Sequence, residues 1–513
     1  MNFCAFVDGA ERVRARRRSE RRALAAATMA RASADEVHDV VVLGAGFAGL
    51  YAARCCAMAT PDAPTRRGAR GGGEASESDD FDALRCVVLE ASGEVGGRVK
   101  VTRDVAPWDV NLGPEFLHGD ENSVLKRFVD HCGFACAEKE WPDRYYLGDD
   151  KALLSAEQAE TTNADVKLVH ELFDNLPGAP DDGDKDVTAL EWLTKTVAAP
   201  ERVIKLAENI YANDFCASLG KLGMRELIEE KKGWIYGEKY LVLDRPLREV
   251  ALALADGLDV RLNWEIERVD YSQPGLVRVV RRGGKDAITA RKCIVSLPIT
   301  ALRGGNAKNR VEFIPRLPAA KTRAAEAIAM GNATKIFIGF NKILWPSDMF
   351  DVVCTNCFLP EFWITEYPKS PLAREAKTSK EAERIAQTVG LVTFFIAGDL
   401  ANEIDKMDEK IVFDRAIEQL DMIFNVPCKE HVTTKKIVSW SRERLVQGAY
   451  THPTVNAGNA RTLLAASISD TLFFAGEATH TGINPCLQGA METGARAAAQ
   501  VRAAVFGVGS SKL

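Results

Sequence analysis

Apolar residues fall into distinct patterns along the chain, each implying a different kind of element. Asp39–Leu43 (DVVVL) is an unbroken β-branched run, the signature of a strand buried on both faces of a parallel sheet. Leu84–Leu89 and Leu472–Ala475 predict further strands, and Leu258–Val269, Val277–Val280 and Ala290–Ser296 read as successive short ones. Alternation at Ile336, Ile338 and Phe340 predicts a strand over Lys335–Phe340, with a companion at Leu391–Ile396. Elsewhere the period is helical: Val166, Val169, Phe173 and Leu176 mark one face, so residues 126–235 read as helical, and Asp408–Phe424 predicts another helix.

The first strand runs directly into Gly44-Ala-Gly46-Phe47-Ala48-Gly49, a G-x-G-x-x-G turn. Its first glycine allows the tight turn, its second lets backbone approach a pyrophosphate, and its third lets the following helix pack closely on the strand. That helix, from Leu50 to about Met58, would offer unpaired N–H groups to phosphate. The second strand ends in Glu90, an acid placed to accept ribose hydroxyls. Glu90 lies 41 residues beyond Gly49, where about 20 is usual. The excess is Thr60–Asp82, a Pro/Gly/Arg then Ser/Glu/Asp stretch without periodicity that reads as a disordered insertion (residues 60–82). These signals predict an α/β, Rossmann-type fold and leave open whether the dinucleotide is NAD or FAD.

Composition narrows the function classes. The 513 residues suffice for two or more structural units, with 46% hydrophobic content and a net charge of −6. That balance provides no basic footprint for nucleic acid, and no apolar run is long enough to predict a membrane span. The 12 cysteines are scattered, with Cys55, Cys86 and Cys293 in apolar stretches that read as core. Cys354 and Cys357 form a lone C-x-x-C pair, open to a redox or zinc reading but more in keeping with buried thiols, and no metal site is expected. Residues 1–36, with seven arginines between Arg12 and Arg22, read as a disordered tail. Residues 507–513 end in Ser511-Lys512-Leu513, the peroxisomal address, which predicts an import-receptor partner and a peroxisomal location.

Downstream of Glu90 the sequence becomes specific. Ala91-Ser-Gly93-Glu-Val-Gly96-Gly97-Arg98 is a second glycine-rich turn, and the order strand, G-x-G-x-x-G, Glu, G-G-R resembles the FAD-dependent amine oxidase family. The resemblance implies non-covalent FAD: Arg98 would help hold its phosphates, and Ala449 stands where monoamine oxidases carry the cysteine that bonds it. Implied FAD contacts include Gly44, Gly46, Phe47, Ala48, Gly49, Glu90, Ala91, Gly97 and Arg98. They continue through Gly113, Pro114 and Glu115 in the segment Asn111–Gly119, Val269 for adenine, and Ser296. Trp440, Gly476-Glu477 and the helix start at Leu487 complete them. The implied catalytic set is Lys335, holding a water near flavin N5, with His118 and an aromatic pair, Trp440 and Tyr450. A structural histidine, a solvated lysine and core aromatics are the competing readings of these residues. Three departures stand out: Phe116 replaces a usual Trp, Cys486 replaces an aromatic of the substrate cage, and Leu243-Asp244-Arg245-Pro246 lacks a glycine pair.

The same resemblance implies residues 37–125, 236–312 and 440–506 as a discontinuous FAD domain, and 126–235 with 313–439 as an α+β substrate domain. Its implied reaction is oxidation of an amine, with polyamines the foremost class. Hydride would pass from the α-carbon to N5, the imine would hydrolyse, and O2 would be reduced to H2O2. Readings kept alongside it are a histone-lysine demethylase, a protoporphyrinogen oxidase or carotenoid desaturase, and a flavin-binding protein without turnover.

Overall fold

The computed structural model describes residues 37–62, 82–178, 185–304, 308–366, 380–483 and 486–507. The N-terminal tail, most of the 60–82 insertion and the C-terminal tripeptide lie outside the described residues.

Strand β1 (Val37–Leu43) turns through Gly44 into helix α1 (Phe47–Ala57), which begins directly after the second glycine of the turn. Next come β2 (Cys86–Leu89) and β3 (Ala287–Val295), which flank β1 in parallel. Far along the chain β4 (Leu472–Phe474) adds in parallel to the end of β3, Cys293–Val295, and helix α2 (Leu487–Phe506) returns to pack along α1. Alternate residues of β1 feed two separate cores, Val40 and Val42 on the side of α1 and α2, Val41 and Leu43 on the other. All four are fully buried, and each contributes about 1.5–3 kcal/mol of apolar burial. This is why the run carries no polar alternation. The predicted Rossmann-type core is thus present.

The stretch expected over Leu258–Val269 divides in two. Asp259–Arg261 pairs in parallel with β2, whereas Ile266–Asp270 pairs antiparallel with Val277–Arg281, which in turn pairs with the first half of β3. Between them Asn263 adopts a left-handed φ of 57°, and the Asn263 and Trp264 amides donate to the Ser92 and Glu90 carbonyls.

A second, seven-stranded sheet starts from the edge strand Val432–Ser439, passes to Ala333–Phe340 and Gly390–Ala397, and continues through Glu361–Glu366 and Asp351–Thr355. Every residue of Ala333–Phe340 is buried. Its alternation separates two apolar environments: Ile336, Ile338 and Phe340 enter one core, and Phe337 enters another with Trp108. The far end of this sheet is formed by Arg144–Leu147 and the edge strand Ala152–Ser155. They correct the helical reading of residues 126–235, as does Cys136–Lys139 in a separate three-stranded sheet. Arg144–Leu147 is held as a strand by parallel pairing to Asp351–Thr355, with Tyr145 and Tyr146 buried on opposite faces. The expected helical face is real over Ala164–Asp174, where Val166, Val169 and Phe173 are buried; Leu176 lies past its end. The helix expected over Asp408–Phe424 forms at Glu409–Phe424, with the Asp408 carboxylate capping its first turn.

Candidate active site

One cavity of about 480 Å³ runs from the glycine turn after β1 to the face of the seven-stranded sheet. At its first end the wall is largely backbone. Gly44 holds a φ of +98°, and a Cβ on Gly49 would lie 2.1 Å from the Gly44 carbonyl oxygen, so the third glycine is needed for close packing. Gly49 itself does not line the cavity, so its place in the site is structural and not one of direct contact. The Ser296 hydroxyl ties β3 to the turn by donating to the Leu43 carbonyl at 2.8 Å. Glu90, 7% exposed, accepts the Ala45 amide on one oxygen and the Ser92 amide on the other, both at 2.8 Å, and its position faces the cavity.

Arg98 spans the two ends of the chain. Its Nη1 donates to the Ala449 carbonyl at 2.7 Å and to Glu477 Oε1 at 3.0 Å. Burial raises the Glu477 carboxyl, but Arg98, Thr451 and Arg461 outweigh it and hold the group below its ordinary value. Gly46, Phe47, Ala48, Ala91, Gly97, Gly113, Pro114, Glu115, Ser296, Gly476, Glu477 and Leu487 all line the cavity. Val269 does not. It is fully buried, with backbone neighbours Val279 and Phe313 on either side, and Ile266 takes the cavity wall instead. Strand pairing is irregular between Ile266 and Arg268, in the stretch that separates the two residues. Leu243–Pro246 does not reach the cavity either; Arg245 pairs with Asp244 and covers the Phe134 ring.

These residues suit FAD. Helices α1 and α2 both open on the cavity, and neither N-terminus carries a side-chain cap, leaving backbone N–H groups for anionic oxygens. No atom lies within 4 Å of where a Cβ on Gly46 would stand, so a phosphate can approach that backbone.

The other end is made of side chains. Lys335, on the strand Ala333–Phe340 of the seven-stranded sheet, is 3% exposed, and its Nζ donates to Glu115 Oε2 at 3.2 Å and the Asn111 carbonyl at 3.4 Å. It also lies 4.7 Å from the centre of the Trp363 ring. Burial lowers the Lys335 pKa and Glu115 opposes that shift. Trp440 packs against Gly113 and donates its indole N–H to the Leu112 carbonyl at 3.1 Å. The Tyr450 hydroxyl donates to the Asp214 carbonyl at 2.8 Å. Burial pulls the His118 imidazole down to about 4, so it is neutral at physiological pH. Its ring stands edge-on to Tyr240 with centroids 4.9 Å apart. All four residues of the implied catalytic set therefore face the one cavity, as does Cys486, whose thiol burial pushes far up.

Sequence reasoning missed Glu361, Asp214, Trp363, Phe395, Trp141 and Tyr240, which line the same end. The one local signal was an acid inside the apolar strand Glu361–Glu366 (EFWITE). Burial pushes the Asp214 carboxyl up to about 6.

The model of the family described as flavin containing amine oxidoreductase matches residues 79–502. The chain belongs to this family. Like other flavin-containing amine oxidoreductases it is an FAD protein of mixed α/β fold, and its activity is amine oxidation. Among curated relatives, this amine oxidoreductase is 23% identical to polyamine oxidase 2 of Arabidopsis thaliana over 91% of its own length and 88% of that protein's. It is 26% identical to human lysine-specific histone demethylase 2, over 90% of its length but 53% of the demethylase. Among solved structures it superposes on a putrescine oxidase bound to putrescine with a TM-score of 0.71 at 16% identity, covering 91% of this chain and 99% of that one. A cyclohexylamine oxidase from Brevibacterium oxydans gives a TM-score of 0.69 at 17% identity, covering 92% and 100%.

Proposed function

We propose that this amine oxidoreductase is an oxidase of polyamines that releases H2O2. The observation carrying this reading is the pairing, in one cavity, of a cofactor-shaped backbone end with an aromatic end containing Lys335, Asp214 and Glu361. Bound FAD supplies the acceptor for the hydride of the amine α-carbon and passes the electrons to O2. The residues prepare the amine. Hydride loss requires a neutral nitrogen, whose lone pair stabilises the developing imine, and the burial that lowers the Lys335 pKa equally disfavours a charged amine beside it. Neutral His118 can accept a hydrogen bond from the amine N–H, and the rings of Trp440, Tyr450 and Phe116 exclude water. The released imine then hydrolyses to an aldehyde.

Attachment of FAD is taken as non-covalent, since residue 449 beside Arg98 is alanine, and acid precipitation should leave the flavin in the supernatant. Anaerobic addition of spermidine or spermine should bleach the bound flavin; no reduction by any amine would sink the oxidase reading. The human demethylase relative supports a second reading, the same chemistry on methylated lysine. A substrate panel with peroxide detection and aldehyde identification separates the two. Peroxisomal residence, through an import receptor reading Ser511-Lys512-Leu513, is part of the proposal. A fluorescent fusion should lose punctate localisation when the tripeptide is removed.

A further inference from the structure

Carboxylates on this cavity are handled in two ways. Glu115 and Glu477 each have a lysine or arginine nitrogen within 3.2 Å, whereas Glu90 is held by two backbone amides at the cofactor end. Glu361 has neither. It is 4% exposed and lines the cavity, and among the described residues no lysine, arginine or histidine nitrogen lies within 4.0 Å of it. Its oxygens accept two neutral donors, the Trp141 indole N–H at 2.8 Å and the Asn213 amide at 2.9 Å. Both donors are themselves fixed. Asn213 Oδ1 accepts the Ala397 amide at 2.9 Å, and the Trp141 ring stacks on Tyr240 at 4.9 Å. The carboxylate is thus oriented in advance, yet a buried anion without a cation is costly.

Its place relative to Lys335 is set by the sheet. Lys335 stands opposite Phe395 on the neighbouring strand. Glu361 is on the strand beyond, one position from the Phe362–Phe394 pair. Two strand spacings separate their backbones by about 10 Å. Phe395 and Trp363 supply apolar surface between them on the cavity wall. One end of this row is cationic and favours a neutral amine, whereas the other is anionic and favours an ammonium.

We infer that Glu361 receives the second, unreacting ammonium of the substrate and so selects diamines and polyamines over monoamines, an assignment that rests on the amine-oxidase reading. The methylenes of such a substrate would lie along Phe395 and Trp363 while its other nitrogen meets the Lys335 end. Asp214 adds negative potential nearby. Burial pushes the Glu361 carboxyl up to about 7; Trp141 pulls it down, Asp214 pushes it up, and Asn213 and Lys335 pull it down. Assays therefore belong at about pH 8.5, where it is ionised.

The test compares the FAD-loaded wild type with Glu361→Gln and Glu361→Asp, using putrescine, cadaverine and butylamine. Glu361→Gln should raise KM for putrescine on the order of 100-fold. Saturated kcat should change little, and butylamine kinetics should be unaltered. Glu361→Asp, with the charge withdrawn by one methylene, should keep the diamine preference and shift it toward the longer cadaverine. Equal losses on putrescine and butylamine, or an unchanged putrescine KM, would overturn the assignment, because a merely structural glutamate cannot distinguish the two. Anaerobic calorimetric titration with putrescine and butylamine reads binding apart from turnover. A putrescine preference in wild type that Glu361→Gln erases supports the assignment even if no amine is oxidised, when only the oxidase reading fails. No such preference in wild type overturns it.

Discussion

At the cofactor end of the cavity the wall is mostly backbone, delivered by two contiguous glycine-rich turns and two uncapped helix starts. At the substrate end it is side chains from strands and loops scattered between Glu115 and Cys486. The first kind of wall tolerates little change of shape, since a single Cβ at Gly49 or Gly113 would come 2.1 Å from a carbonyl oxygen. The second kind tolerates changes of shape but not of charge, because its lysine and carboxylates are desolvated. Cofactor retention and substrate turnover should therefore fail separately when each wall is altered.

The strongest test is Gly49→Val. With the Gly44 carbonyl and the Ser296 hydroxyl in the path of the new side chain, the turn cannot close, and FAD retention should fall by more than about 100-fold together with the melting temperature. Retained FAD would show that the turn can open without losing the cofactor. Lys335→Met should leave FAD bound and slow turnover on the order of 100-fold. It should also lower stability by about 1–2 kcal/mol by leaving Glu115 with the Asn111 amide but no cation, and adding Glu115→Gln should restore the melting temperature but not the rate. Unchanged turnover would remove Lys335 from the mechanism.

A smaller effect, about 3- to 10-fold in kcat/KM, is expected for His118→Gln as the loss of one hydrogen bond. Because burial holds the imidazole near 4, its protonated form is already absent above about pH 6. Wild type and variant should therefore give parallel pH profiles up to about pH 9; an inflection near 6.5 present only in wild type would contradict this. Smallest at the cofactor is Val269→Ala, which should cost about 1–2 kcal/mol of stability and leave FAD affinity unchanged. A weakened affinity there would put Val269 back on the cofactor wall.

How far the sequence could be read follows the same division. The turn at Gly44–Gly49, Glu90 and Gly97-Arg98 are local patterns whose meaning is carried by adjacent residues. Val269 lies off the cavity wall while Ile266, across a pairing irregularity from Arg268, lies on it, and no local pattern encodes that. The strand Arg144–Leu147 pairs with Ala152–Ser155 close by and with Asp351–Thr355 some two hundred residues away, and only the second partner lies beyond the reach of a local pattern. Glu361 was illegible for a similar reason: what makes it distinctive is a donor set 220 and 148 residues distant in sequence.

The late arrival of β4 and α2 has a consequence for biosynthesis. β1 and β2 are made early, but their neighbour β3 is synthesised only after the first helical segment, and β4 and α2 come nearly last. On the ribosome, therefore, the early glycine turn waits for most of the polypeptide before its sheet and the second cavity-facing helix exist. A translation arrest short of Leu487 should yield a chain that cannot capture the flavin, however well its first turn is formed.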